Sequence, residues 1–255
     1  MKTQVNSKNE GGVGRRWVSL LAVAALLAAA GPAWAGKRNA ENPSILPPQS
    51  NPQGQSYAEW AAEYWNWYWP MPYDYYDVNF FEMSGSVCLV TGSVLGTSER
   101  NLILPAGTML FLPAYTCASA DVPEVWDQPF VDPVTGIEYP SEEDWSVWLC
   151  DQVVNEVAVR CQIDGREVQN LQAYRVHTPF SGAYPEGNWL GAEPGTQYVG
   201  VADGLFLMLT PLATGTHTIQ FWSNVPDQFL PYFGFEGSGE ATTVFHVTVK
   251  GPRGK

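Results

Sequence analysis

Residues 56–81, SYAEWAAEYWNWYWPMPYDYYDVNFF, hold 12 aromatic side chains in the 25 positions from Tyr57 to Phe81. So much apolar ring surface is costly in water, so either the rest of the chain covers it or a ligand meets it. Local spacing divides the stretch. Ser56-Tyr57-Ala58-Glu59 has the form of a capping box, in which the serine hydroxyl takes the glutamate amide and the glutamate reaches back. Tyr57, Trp60, Ala61, Tyr64, Trp65 and Tyr68 follow at the three-to-four spacing of one helical face, and Pro70 and Pro72 end the run. The pattern predicts a capped amphipathic helix over 56–69, with Tyr57, Trp60, Tyr64 and Trp65 inward. Trp67 and Trp69 fall off that face, and Tyr73, Tyr75 and Tyr76 follow in a loop. These five are the candidate ligand-binding residues, because flat rings with polar tips suit sugar faces and protein surfaces alike. A second aromatic loop, with Phe229, Tyr232, Phe233 and Phe235, is a candidate neighbour.

The cover for such a helix is read from the rest of the chain. Alternating or β-branched runs at 86–95, 108–115, 157–163, 171–177, 198–209, 216–222 and 242–250 predict strands, with a short one at 100–107. Asp164-Gly165 between 157–163 and 166–168 is a hairpin signal. A second helix is expected over 141–156, capped by Ser141 with Asp144 three residues on and with Trp145, Trp148, Leu149 and Val153 inward. The expectation is a mainly β fold: an antiparallel β-sandwich, immunoglobulin-like or jelly-roll-like, with two inserted or flanking helices. It forms one domain over 56–255 behind an extended arm at 36–55 that is rich in Pro, Asn, Gln and Ser.

Residues 1–35 read as a signal peptide. Lys8, Arg15 and Arg16 precede an apolar run at 17–30, too short to span a bilayer comfortably, and Ala33-Trp34-Ala35 fits a cleavage site. No later stretch approaches a membrane span, so the product is expected to be secreted or periplasmic. Arg15-Arg16 suggests twin-arginine export, while ordinary Sec export fits the remainder. Beyond the leader, nine basic residues face 25 acidic ones, a net charge of −16. Phosphate backbones would be repelled, which argues against nucleic acid. An exported chain with Cys88, Cys117, Cys150 and Cys161 is expected to form two disulfides. Three pairings are open, and proximity in sequence favours Cys88–Cys117 with Cys150–Cys161.

Four segments, YAEWAAEYWNW (57–67), RNLILPAGTMLFLP (100–113), IDGREVQNLQAYRV (163–176) and GVADGLFLMLTPLATGTHTIQF (200–221), occur in this order. Together they resemble a group of uncharacterised exported bacterial proteins with a Trp-rich N-terminal helix and an immunoglobulin-like C-terminal part. The resemblance covers most of the mature chain. It implies a shared fold and export and carries no activity with it.

Candidate chemistry is sparse. Glu63 on the Trp-rich helix and Asp74 after it, with Glu59 and Asp77 nearby, are the carboxylates a glycan hydrolase or lyase would use. No G-x-S-x-G elbow is present. His177, His217 and His246 lack metal-ligand spacing, although His217 and His246 lie on the two final strands and are candidate neighbours. No cofactor is expected beyond Ca²⁺, for which the acidic loop 120–144 with its Asp132-Pro-Val-Thr-Gly136 fragment is the candidate. Arg175, set in an apolar strand, needs an acid, and Asp203 is the candidate. The functional expectation is a secreted binding protein that recognises a glycan or another extracellular partner through an aromatic surface. A glycan-active enzyme using those carboxylates and a structural, self-associating extracellular protein are the alternatives.

Overall fold

The computed structural model describes residues 42, 44–72, 80–93 and 96–251. The expected signal peptide, the start of the arm, Tyr73, Asp74, Tyr75 and Tyr76 lie outside these residues.

Helix α1 spans Tyr57–Tyr68 and opens as its sequence requires. The Ser56 hydroxyl accepts the Glu59 amide, and the Glu59 carboxylate accepts the Ser56 amide at 2.7 Å. After it come β1 (Phe81–Ser84), β2 (Val87–Val90), β3 (Gly96–Pro105) and β4 (Met109–Asp121). A short helix α2 (Pro123–Trp126) and a small hairpin, β5 (Phe130–Val131) with β6 (Glu138–Tyr139), occupy much of the long acidic loop. Helix α3 (Glu142–Glu156) is capped by Ser141, as expected. The remaining strands are β7 (Ala158–Ile163), β8 (Arg166–Glu167), β9 (Arg175–Ala183), β10 (Gln197–Leu209), β11 (Gly215–Asn224) and β12 (Glu240–Lys250).

Two five-stranded sheets form a sandwich. One has the order β1-β2-β4-β10-β9, the other β3-β12-β11-β7-β8. Both are mixed rather than purely antiparallel, since β2 runs parallel to β4 and β3 runs parallel to β12. The links β2–β3 and β3–β4 carry the chain from one sheet to the other and back, so β3 finds its partner in the final strand instead of in β2 or β4. The β7–β8 turn holds Asp164 and Gly165 at φ 50° and 74°, the conformation that an Asp-Gly pair accepts readily. Part of the arm also joins the fold. Ile45 bridges to Leu209, the Leu46 amide donates to the Met208 carbonyl, and the Thr210 amide donates to the Ser44 carbonyl.

Strand β10 is buried almost throughout, because both its faces are covered. On one face α1 lies across the sheet. Tyr57 meets Phe111 edge-on, Tyr64 meets Phe206 edge-on, and Trp65 stacks on Phe180 at 5.8 Å. Each polar tip finds a partner: Tyr57 Oη donates to the Leu46 carbonyl, Trp60 Nε1 to the Pro52 carbonyl, Tyr64 Oη to Thr91, and Trp65 Nε1 to Thr116. Large rings can therefore be buried here without leaving donors unpaired, each burial contributing roughly 1.5–3 kcal/mol. The other face meets α3 and the second sheet, and a single core runs through Leu110, Leu207, Ile219 and Phe245. At Gly204 the chains approach so closely that a Cβ would lie 2.7 Å from Thr116 and from the Tyr115 carbonyl.

The cysteines depart from the expected pairing. All four are buried thiols. Cys88 lies beside Leu110 in the β2–β4 register, seven residues along β4 from Cys117. At ~3.3 Å per residue that is about 20 Å, well beyond the reach of a disulfide. The fold brings Cys117 to Cys150 instead, with the sulfurs 2.9 Å apart. Cys161 sits on β7 opposite Phe221. Strand topology, rather than nearness along the chain, decides which sulfurs meet.

Candidate functional site

Strand β2 pairs with β4 only over Met109–Phe111, whereas β10 follows β4 as far as Asp121. Among the described residues, β4 from residue 112 onward therefore has a neighbouring strand on one side only. The register skips Ala114 between the Phe206–Pro113 and Leu205–Tyr115 pairs, so a bulge bends β4 at this point. Pro113 beside the bulge suits a strand with an open edge, since proline has no amide to offer a neighbour.

Along this edge the described residues enclose a cleft of about 220 Å³. Tyr64, Trp65 and Tyr68 of α1 form one wall. Phe221 and Thr243 of the second sheet face them, with Phe233 and Phe235 from the loop before β12. Tyr115, Thr116 and Cys117 of β4 run along the side. Burial, with the Cys117 and Cys150 thiols nearby, pushes the Tyr115 phenol well up, so it remains a protonated donor at physiological pH. Several other hydroxyls already serve the scaffold. Thr91 accepts from Tyr64, Thr116 accepts from Trp65 and donates to the Asp203 carbonyl, and Thr243 accepts from the Ser93 amide. The cleft is thus an apolar slot beside a strand edge, with few polar side-chain atoms left to grip a ligand.

The sequence-predicted aromatic residues divide across two places. Tyr57, Trp60, Tyr64 and Trp65 are buried, as the helical face requires. Trp67 and Trp69 are half-buried in an aromatic-rich cluster at the surface. Trp67 stands edge-on to Tyr64 at 5.7 Å. Trp69 stands edge-on to Phe180 and Trp189, donates Nε1 to Tyr184 Oη, and accepts Trp189 Nε1 at its carbonyl. Each ring packs against other aromatic rings, Trp67 on Tyr64 and Tyr68, and Trp69 on Trp65, Phe180 and Trp189. Tyr64, Trp65 and Tyr68 of the helix line the same cleft as Leu230, Phe233 and Phe235 of the 229–235 loop, whereas Trp67 and Trp69 are not part of its lining. Of the candidate catalytic carboxylates, Glu63 accepts a hydrogen bond from Gln55 at 3.1 Å. Asp74, with Tyr73, Tyr75 and Tyr76, lies outside the described residues.

A second, polar cluster sits where α3 crosses the first sheet. Arg175 holds Asp203 through two bonds, Nε to Oδ1 at 2.8 Å and a terminal nitrogen to Oδ2 at 2.7 Å. The same guanidinium reaches Asp151 and Asn155 of α3 at 2.7 and 2.6 Å. The Arg175–Asp203 pair was legible; Asp151 and Asn155 were not, although their four-residue spacing puts both on one helical face. Burial alone would raise the Asp203 carboxyl, but Arg175 and His177 outweigh it and hold it below the usual range. His177, 3.6 Å from Asp203, is shifted up, chiefly by that carboxylate.

The other candidates resolve into structure. His217 and His246 do not converge: His246 is opposite Thr218 in the register, so the two rings project from opposite faces. His217 bonds Asp164 and the Ala213 carbonyl at 2.8 Å each, and His246 lies 3.5 Å from Glu99. In the Asp132–Gly136 fragment, Asp132 Oδ1 accepts the Val134 and Thr135 amides and Oδ2 accepts Tyr232 Oη. The buried carboxylate closes a turn and anchors a tyrosine. Among the described residues, no three His, Cys, Asp or Glu side chains gather as a cation site, and no helix is long and apolar enough to cross a membrane.

No family model and no curated protein matches the chain. Among solved structures, it is similar to the cysteine protease inhibitor EhICP2 from Entamoeba histolytica, at 10% identity with a TM-score of 0.23, over 64% of this chain and 96% of that one. A likeness this loose carries no functional argument.

Proposed function

We propose that the protein is an exported binding protein, kin to the exported bacterial group it resembles, that takes an extended segment of an extracellular protein partner into the cleft along β4. One observation carries this reading: among the described residues, 112–121 have a strand on one side only, and aromatic walls stand beside that edge. Strand addition to such an edge supplies affinity through main-chain bonds and selectivity through side-chain slots. Glycan recognition is the second reading, favoured by the half-buried Trp67 beside Tyr64 and by the separate Trp69–Trp189 pair. Titration of the protein's tryptophan fluorescence with extended peptides and with soluble oligosaccharides separates the two. On the first reading peptides bind, and Tyr68→Ala and Phe235→Ala weaken binding about tenfold or more, while Trp67→Ala leaves it unchanged. Loss of binding in Trp67→Ala with Tyr68→Ala unaffected would place the site at the surface cluster and overturn the cleft.

A further inference from the structure

We infer that Cys117 and Cys150 are a cross-linking site that oxidises to a single disulfide, while Cys88 and Cys161 stay reduced. The two sulfurs are 2.9 Å apart and come from different elements, Cys117 from β4 and Cys150 from α3. Neighbouring residues on a strand point to opposite faces, and Thr116 is turned to Trp65 of α1, so Cys117 faces the α3 side. Beside Cys150 on the helix, Asp151 is held by Arg175, which is also bonded to Asp203 of β10. The Arg175 clamp therefore keeps α3 seated at the residue next to the sulfur, so closing the bond needs no large movement of the helix. All four thiols are buried, so burial does not separate them; Cys88 and Cys161 each lie opposite an apolar residue of the neighbouring strand, Leu110 and Phe221, instead of another cysteine.

The chemistry is a two-electron exchange with a disulfide oxidant, either a small-molecule disulfide or the active-site disulfide of an oxidoreductase in the exporting compartment. One thiol loses its proton, and the thiolate attacks the oxidant, giving a mixed disulfide and releasing one oxidant thiolate. The second cysteine thiolate then displaces the other. Cys117 and Cys150 become a disulfide, and the oxidant becomes two thiols that carry the two protons. Cys117 is among the residues lining the cleft and both thiols are buried, so the oxidant reaches them on local opening at that edge.

The test uses the full chain, exported to an oxidising compartment, equilibrated with oxidised glutathione, alkylated in denaturant without reductant, and mapped by mass spectrometry. The expected result is one cross-linked peptide joining the Cys117 and Cys150 regions, split by reductant, with Cys88 and Cys161 alkylated. A Cys88→Ser/Cys161→Ser double variant keeps the cross-link, and Cys150→Ser abolishes it. Recovery of Cys88–Cys117 or Cys150–Cys161 peptides, or of four alkylated cysteines, overturns the proposal.

Discussion

Replacing Arg175 by methionine tests whether Asp203 is a buried anion that one guanidinium holds in place. In the native protein the Asp203 side chain is 3% exposed and its carboxyl is held below its ordinary range despite burial. A depressed folded pKa contributes stability above the unfolded value of about 3.9, and that stability is lost as pH falls through the folded pKa. Without Arg175, burial dominates and the folded pKa rises above the unfolded one, so the sign reverses. The variant is then penalised most at neutral pH, where a bare carboxylate sits in the core, and less as acid neutralises it. Removing one partner of a buried pair costs about 3–5 kcal/mol. Since 24% of the arginine side chain reaches solvent and His177 remains 3.6 Å from the carboxylate, the low end applies. A cost of about 3 kcal/mol, at a urea slope near 2 kcal/mol per molar, lowers the midpoint by roughly 1.5 M. The freed Asp151, 48% exposed, adds little. The assay is urea unfolding of both proteins, followed by tryptophan fluorescence, at about pH 7.5 and about pH 5. A cost below about 1 kcal/mol at the higher pH, or one that does not shrink at the lower, refutes the reasoning.

Phe206→Ala, under Tyr64 and stacked on Phe111 at 5.4 Å, should cost about 3–5 kcal/mol by calorimetry or denaturant midpoint. Gly204→Ala should lose about 1–3 kcal/mol, because its Cβ meets Thr116 and backbone at 2.7 Å; a neutral result would mean that β4 and β10 can part there. Ser56→Ala removes the helix cap, with an expected loss of about 1 kcal/mol in the same assay. The Asp164 carboxylate raises the His217 pKa, so the pair's contribution is full below the unfolded histidine value and fades as pH rises through the folded one. Asp164→Asn should therefore destabilise more in mild acid than above neutrality, and equal losses at both would show that the imidazole does not share the charge.

Local signals were legible wherever one segment decides its own conformation. The capping box, the Asp-Gly turn, the Ser141 cap and the inward face of α1 follow from residues a few positions apart. The run at 198–209 predicted a strand, which the fold then buries almost throughout. What stayed hidden depends on which strands meet. Leu171–Tyr174 forms a 3-10 turn instead of the start of a strand, because β9 begins only at Arg175, opposite Leu205. The cleft draws Tyr68, Tyr115, Phe221 and Phe235 from four distant segments; Tyr68 and Phe235 belong to the two aromatic stretches, but nothing along the chain marks Tyr115 or Phe221. The aromatic excess was real, yet ring count alone could not tell stacked scaffold from binding wall. The cysteines failed for the same reason: spacing along a chain measures loop length, and the sandwich rearranges it.

The seam between β3 and β12 sets an order of assembly. Gly96 pairs with Ala241 and Pro105 with Lys250, about 145 residues apart, and among the described residues β3 is an edge strand with β12 as its sole neighbour. Closing so long a loop is slow, and no earlier segment substitutes for β12. While the chain emerges from a ribosome, the second sheet cannot close, and β3 waits with Ile103 and an unpaired backbone in solvent. A chain built this way folds most safely after release as a whole, so shortening β12 is expected to leave a sticky intermediate rather than a merely weakened native state.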